Sequence, residues 1–172
     1  NRGTKGFNFS GIGIGNPWTH PISQLDVFAR STYSMGIIGT NFRDQLIGYQ
    51  TKGKENMINQ QWMNATDMFN KVEDLLSDFN LTGGIFLNNF RDYSATEPLI
   101  TVYGLTQAYL NSTSTKKWFN VSTDFNYNLC NGDVYQWWYS DFMKSVSDIL
   151  SFVIQRTRVL LFNGADDIEV NT

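Results

Sequence analysis

Three carboxylates stand close together near the end of the chain: Asp166, Asp167 and Glu169. They follow a wholly apolar run, Val159-Leu-Leu-Phe162, and the pair Asn163-Gly164, a strong turn signal. An apolar strand that ends in an acid-bearing turn is how an open α/β sheet presents a catalytic carboxylate. Such sheets place their chemistry outside the carboxyl ends of their strands. The same residue types also fill plain exposed turns, because Asp, Asn and Gly tolerate left-handed backbone. A calcium loop fits poorly, since it wants more alternating oxygen ligands than these three acids supply.

Other candidates for chemistry are weaker. The single histidine, His20, lies in Trp18-Thr-His-Pro21, and no G-x-S-x-G nucleophile elbow occurs anywhere. His20 therefore reads as a structural side chain. The single cysteine, Cys130, is a poor nucleophile by the same test. It is either a buried free thiol or half of a disulfide to a cysteine elsewhere. One His and one Cys leave too few ligands for a zinc site, and neither a metal nor a cofactor is expected. Gly11-Ile-Gly-Ile-Gly15 resembles a dinucleotide fingerprint only in part. The last glycine of that pattern would fall on Asn16, before Pro17, and the glycines lie within the strand itself. Close backbone packing accounts for them better.

Composition narrows the class. The 172 residues suffice for one domain with a core. Charged residues are only 17% against 15% aromatic, and the net charge is −3. With no basic patch, nucleic-acid binding lacks its electrostatic footprint. No apolar run is long enough to span a bilayer. The sequence opens at Asn1 without methionine and reads as part of a longer protein. N-x-[ST] sequons at Asn8, Asn64, Asn80, Asn111 and Asn120 point to a secreted or luminal compartment. Asn8 is the weakest of them, because it adjoins a strand.

The elements that must position the acids follow from periodicity. Phe7 to Ile14 reads as a strand, ended by Gly15-Asn16-Pro17. Helical spacing runs from Gln24 to Gly36, and a second helix carries Phe42, Leu46 and Tyr49, with Thr40 or Asn41 as its cap. The clearest stripe is Trp62, Ala65, Phe69, Val72, Leu76 and Phe79, closed by Gly83-Gly84. Residues 85 to 113 read as irregular, with helical turns only around Thr106 to Leu110. Residues 114 to 119 form a short helix with Lys116-Lys117 on its wet side. Asp141 to Gln155 predicts an amphipathic helix with Phe142, Val146, Ile149, Leu150, Val153 and Ile154 on one face, capped by Ser140 or Asp141. It leads into the Val159–Phe162 strand. A strand near each end thus brackets a helical middle, an α/β layout in which a sheet carries a helical insertion. Two strands do not make a stable sheet alone, so others are expected from another segment or another chain.

Several stretches together resemble one family, the serine carboxypeptidases of the α/β-hydrolase fold. Asn8-Phe-Ser-Gly-Ile-Gly-Ile-Gly-Asn-Pro-Trp-Thr-His-Pro21 resembles the family's strand and turn, N-x-x-G-[IV]-x-[IL]-G-N-G-x-x-[DH]-P. Tyr33-Ser-Met-Gly-Ile-Ile38 is similar to a helix end, and Tyr109-Leu-Asn111 through Lys117-Trp-Phe-Asn-Val121 to a Leu-Asn, short-helix and His-Val stretch. Ser140-Asp-Phe-Met-Lys144 with Arg158-Val-Leu-Leu-Phe-Asn-Gly164 resembles the helix and strand leading to the catalytic aspartate. The branch most resembled is the vitellogenic-like and retinoid-inducible type. Residues 50 to 105 match in helical character only.

The resemblance implies a secreted or lysosomal/vacuolar serine-type carboxypeptidase that works by a Ser-Asp-His triad. Asp167 falls on the family's acid, five residues into the Asn-Gly turn, and Asp166 on a variable position. Asn16 and Trp18 would lie under the site. The serine elbow would precede this chain and the histidine follow it, as in the order Ser, Asp, His, so the chain alone would be inactive. Residues 1–21 would form core strand and turn, 22–125 the helical insertion, and 126–172 the core helix, strand and acid-bearing turn. Expected partners are a peptide substrate, the remaining segments of the same protein and, in a homodimer, a second copy. Pro17 and Asn120 depart from the family's glycine and histidine. Those departures leave open an alternative, a catalytically inactive carboxypeptidase-like module serving an extracellular or luminal assembly. The run Tyr135-Gln-Trp-Trp-Tyr139 is expected to cover the sheet edge and pack the insertion rather than line a pocket.

Overall fold

The strands β1 (Gly11–Gly15) and β2 (Arg158–Phe162) lie side by side and parallel, although nearly the whole chain separates them. Their register pairs Gly11 with Arg158 and Gly15 with Phe162. The computed structural model describes residues 9–78, 82, 85–91 and 96–170, with backbone alone for 96–102. Phe7 and Asn8 of the expected strand, Phe79, the Asn80 sequon and Gly83-Gly84 lie outside the described residues.

The glycines of β1 let the partner strand come close. A Cβ on Gly11 would sit 2.8 Å from the Arg158 carbonyl oxygen, and one on Gly15 would sit 2.7 Å from the Phe162 ring. Close packing is therefore what this glycine run does. The strands are not buried, however: Leu160, Leu161 and Phe162 are exposed. Among the described residues the sheet consists of these two strands alone.

After β1 come α1 (Pro21–Gln24), a 3-10 turn (Leu25–Val27) and α2 (Phe28–Ser34). Two long helices follow, α3 (Thr40–Ile58) and α4 (Trp62–Ser77). Then come α5 (Thr96–Asn111), α6 (Thr113–Trp118), α7 (Gly132–Trp138) and α8 (Ser147–Ile154), which leads into β2. The core forms where α2, α3 and α4 meet: Leu25, Phe28, Leu46, Phe69, Val72 and Leu76 are buried, and Met143 and Ile168 join them. Gln50 is buried too. Its side chain accepts from the Ala29 N–H and donates to the Leu25 carbonyl, serving the backbone groups that the 3-10 turn leaves without helical partners.

The structure corrects several expectations. Residues 96–111 are one continuous helix, not an irregular stretch; Pro98 sits in its first turn, where a missing N–H costs nothing. The second helix is capped by Gly39, and Thr40 is already helical. Lys116 is not on a wet face: it is buried, and its ammonium donates to the Thr123 and Phe125 carbonyls. The expected Asp141–Gln155 helix starts only at Ser147, with neither Ser140 nor Asp141 as its cap. Phe142 leaves its stripe and packs against Trp18, Phe69 and Trp138 instead, beside Met143, which is buried in the core. Cys130 is exposed rather than buried.

Helices α2, α3 and α6 end alike, on residues with left-handed backbone: Gly36, Gln60 and Asn120. In each case the next residue's N–H reaches back to the carbonyl five positions earlier, closing a Schellman cap. Asn120 thus has a physical reason to be Asn, which tolerates this conformation better than most side chains.

Candidate active site

The turn after β2 carries the acids. Asp167 is only 6% exposed, against the half-buried Asp166 and Glu169. Its placement depends on several segments. The neighbouring Ile168 is buried at 2% and donates its N–H to the Leu87 carbonyl at 2.7 Å, so the turn is clamped against residues 85–91. The Phe90 N–H reaches the Asp166 carbonyl at 3.0 Å from the same segment. The Asn163 side chain spans the turn to the Val170 carbonyl.

Both oxygens of the Asp167 carboxylate are held. The Val170 N–H donates to Oδ1 at 2.9 Å, and the Asn16 side-chain amide donates to Oδ2. Asn16 comes from the other strand. It stands just past the end of β1, with φ at +48°, and its backbone N–H donates to the Phe162 carbonyl at 2.9 Å. Gln24 braces the turn behind it by accepting from the Thr19 and His20 N–H groups and donating to the Pro17 carbonyl. Pro17 is accommodated there and buried. An ionised carboxylate has about four acceptor sites. Two are taken by these donors, which leaves capacity for a further N–H.

Asp166 faces elsewhere, in an ion pair with Arg91 at 3.0 Å. Glu169 accepts from Asn88 at 2.6 Å and meets Glu73 of α4. Burial, then the charge and hydrogen bond of Glu169, push the Glu73 carboxyl up to about 8. Both acids line a cavity of about 310 Å³ walled by Trp18, Phe69, Trp138 and Phe142. Trp18 is stacked on Phe142 in that wall, ring centroids 5.4 Å apart. The aromatic run packs α4 rather than a sheet edge: Asn70 donates to the Tyr135 and Tyr139 hydroxyls, and Thr66 to the Tyr139 carbonyl.

His20 lies at the start of α1, its Nδ1 sharing a hydrogen bond of 2.7 Å with the Ser145 hydroxyl. Among the described residues, no group of three or more His, Cys, Asp or Glu side chains is placed to hold a metal ion. No helix among them is long and apolar enough to cross a membrane. Sequence reasoning had marked Asp167, Asn16 and Trp18. The Asn163-Gly164 turn and Glu169 are visible there too, but the clamp at Leu87, the bracing by Gln24 and the pairing of Glu73 with Glu169 carry no local motif and arise only through the tertiary fold.

Two parallel strands from opposite ends of the chain with helices between them, and a buried carboxylate just past the end of one strand, make an α/β arrangement. The profile of the serine carboxypeptidases matches residues 1–172, and the chain belongs to that family, whose fold is the α/β-hydrolase. Among curated proteins, it is 29% identical to serine carboxypeptidase-like 50 of Arabidopsis thaliana over 94% of this chain and 35% of that protein. It is 29% identical to the probable serine carboxypeptidase CPVL of Dictyostelium discoideum over 99% of this chain and 33% of that protein. The retinoid-inducible serine carboxypeptidase of Homo sapiens is 24% identical over 99% of this chain and 42% of its own length. The chain thus spans about a third of the first two relatives. No solved structure matches it significantly.

Proposed function

We propose that the complete protein is a serine-type carboxypeptidase and that Asp167 is the orienting acid of its Ser-Asp-His triad. Asp167 would accept a hydrogen bond from one ring nitrogen of the catalytic histidine, hold the productive tautomer and stabilise the imidazolium, without taking the proton itself. The histidine would activate the serine that attacks the scissile carbonyl. Serine and histidine would come from segments outside these 172 residues, and a peptide would be the substrate. Residues 22–125 would be the insertion between the core parts 1–21 and 126–172. The compartment would be secreted or a lysosomal/vacuolar lumen, with Asn64 and Asn120 the most accessible of the described sequons; the Asn111 amide is engaged with Tyr127.

The observation that carries this reading is the buried Asp167 carboxylate, held through both oxygens yet with acceptor capacity left. The test is Asp167→Asn in the complete protein, followed by peptide release and labelling of the active-site serine with a serine-hydrolase reagent. In a well-studied triad this change costs on the order of 10⁴ in kcat, and a comparable loss is expected here. Unchanged turnover would sink the assignment of Asp167, whereas an unaltered protein with neither peptide release nor serine labelling would favour the non-catalytic module.

A further inference from the structure

Catalysis by an orienting acid depends on where its lone pairs point, and a carboxylate on a turn can rotate about two bonds. In this chain one oxygen is fixed from within the turn, by the Val170 N–H at 2.9 Å. The other is fixed from outside it, by the Asn16 amide, which lies 151 positions away in sequence. The Asn16 side chain is in turn fixed by its backbone. Its N–H is tied to the Phe162 carbonyl at the end of β2, and its φ of +48° is a conformation that side-chain-bearing residues adopt at a cost. Glycine would meet that backbone demand better. A glycine there, however, would have no group to offer Asp167. Asn is the side-chain-bearing residue that best tolerates this backbone, and it alone combines that tolerance with an amide to offer the buried carboxylate.

We propose that Asn16 is a positioning residue for the reaction: its amide holds Oδ2 of Asp167 so that a remaining acceptor site faces the histidine. This rests on the reading of Asp167 as the triad acid. Asn16 would touch neither substrate nor serine. It would act only through Asp167, by keeping the carboxylate rotamer that pairs with the imidazole. A misplacement of about 1 Å at a catalytic group can cost on the order of 10²-fold.

The experiment compares Asn16→Gly, Asn16→Asp and Asp167→Asn in the complete protein, with kcat, KM and the pH profile of kcat/KM on a peptide substrate. Asn16→Gly eases the turn's backbone but takes a donor from a buried carboxylate; these effects oppose each other, so a folded protein with a melting temperature near that of the unaltered one is expected. Its kcat should fall roughly 10- to 100-fold with KM nearly unchanged. The acid limb of kcat/KM, which reports the imidazolium of the free enzyme, should move to lower pH. A less well aligned Asp167 stabilises the imidazolium less, and the ring then loses its proton more readily. Asn16→Asp keeps the volume but sets a second carboxylate against Asp167, and should be less active than Asn16→Gly at neutral pH. Asn16→Gly with unchanged kcat and acid limb, beside an inactive Asp167→Asn, overturns the role of Asn16 and leaves Asp167 standing. A fall in kcat with the acid limb in place marks a structural turn and also overturns it. Full activity of Asp167→Asn removes both readings together.

Discussion

At the residue scale, the two adjacent aspartates separate cleanly. Asp167 points inward to Asn16 and Val170, whereas Asp166 pairs with Arg91, whose side chain is 72% exposed. Such exposed pairs contribute roughly 0–1 kcal/mol. Asp166→Asn is therefore expected to leave turnover within a few-fold of the unaltered protein and to change stability by less than about 1 kcal/mol. Steady-state assay and chemical denaturation of the complete protein check both numbers. A loss as large as that at Asp167→Asn would show that the acid has been placed one position too late. The acid-bearing turn was legible, because an apolar strand, an Asn-Gly turn and acids stand in one local sequence; the choice of Asp167 among those acids came from the resemblance to the family. Asn16, the partner of Asp167, was legible only as a residue beneath the site. The hydrogen bond between them needs the parallel pairing that brings two strand ends together, and no local pattern encodes that pairing.

Whole elements were legible where one apolar stripe faces one core. Helix α4 shows this, its Ala65, Phe69, Val72 and Leu76 all buried. Helix α8 shows the opposite. The stripe from Phe142 to Ile154 looked continuous, but Phe142 and Met143 follow the core around a bend and the helix starts four residues later. Lys116 misled for a related reason: a charge marks a wet face only if no carbonyls wait for it in the interior. Helix ends carry a prediction of their own. Gln60 closes α3 with φ at +56°, a conformation that costs a side-chain-bearing residue roughly 1–2 kcal/mol. Gln60→Gly is expected to stabilise the protein by about 1 kcal/mol, and Asn120→Gly by less, since Asn already tolerates this backbone. Denaturation midpoints of the two variants, compared side by side, test the order. In the opposite direction, Gln50→Leu leaves the Ala29 N–H and the Leu25 carbonyl buried without partners. That change is expected to cost on the order of 1–3 kcal/mol for the unmet backbone groups, read by the same denaturation.

For the molecule as a whole, the acid turn joins two bodies of structure: the parallel strand pair that aims Asp167, and the helical core reached through Ile168 and Glu73. The exposed apolar side chains of β2 and α8, such as Leu160, Phe162, Ile149 and Phe152, are the faces that further strands and helices of a larger sheet would cover. That fits a chain spanning about a third of its first two relatives. The α/β class was legible from two strands bracketing helices, but the Glu73–Glu169 contact between helix and turn was not, because nothing in sequence links their positions. That contact makes stability depend on pH. The ordinary Glu carboxyl titrates near 4.5, and in the folded protein Glu73 is pushed up to about 8 by burial first and by Glu169 second, with Asp74 adding a smaller push. The folded state therefore holds a proton at Glu73 that the unfolded chain has released. Its stabilising share is complete below about 4.5 and is lost as pH rises through about 8. Glu73→Gln keeps a neutral side chain in that place at every pH. Melting temperature measured from pH 4.5 to pH 8 should fall less steeply in this variant than in the unaltered protein, with the two curves diverging most at the alkaline end. Parallel curves would mean that Glu73 gives up its proton without cost, and that the facing carboxyls do not interact as their contact implies.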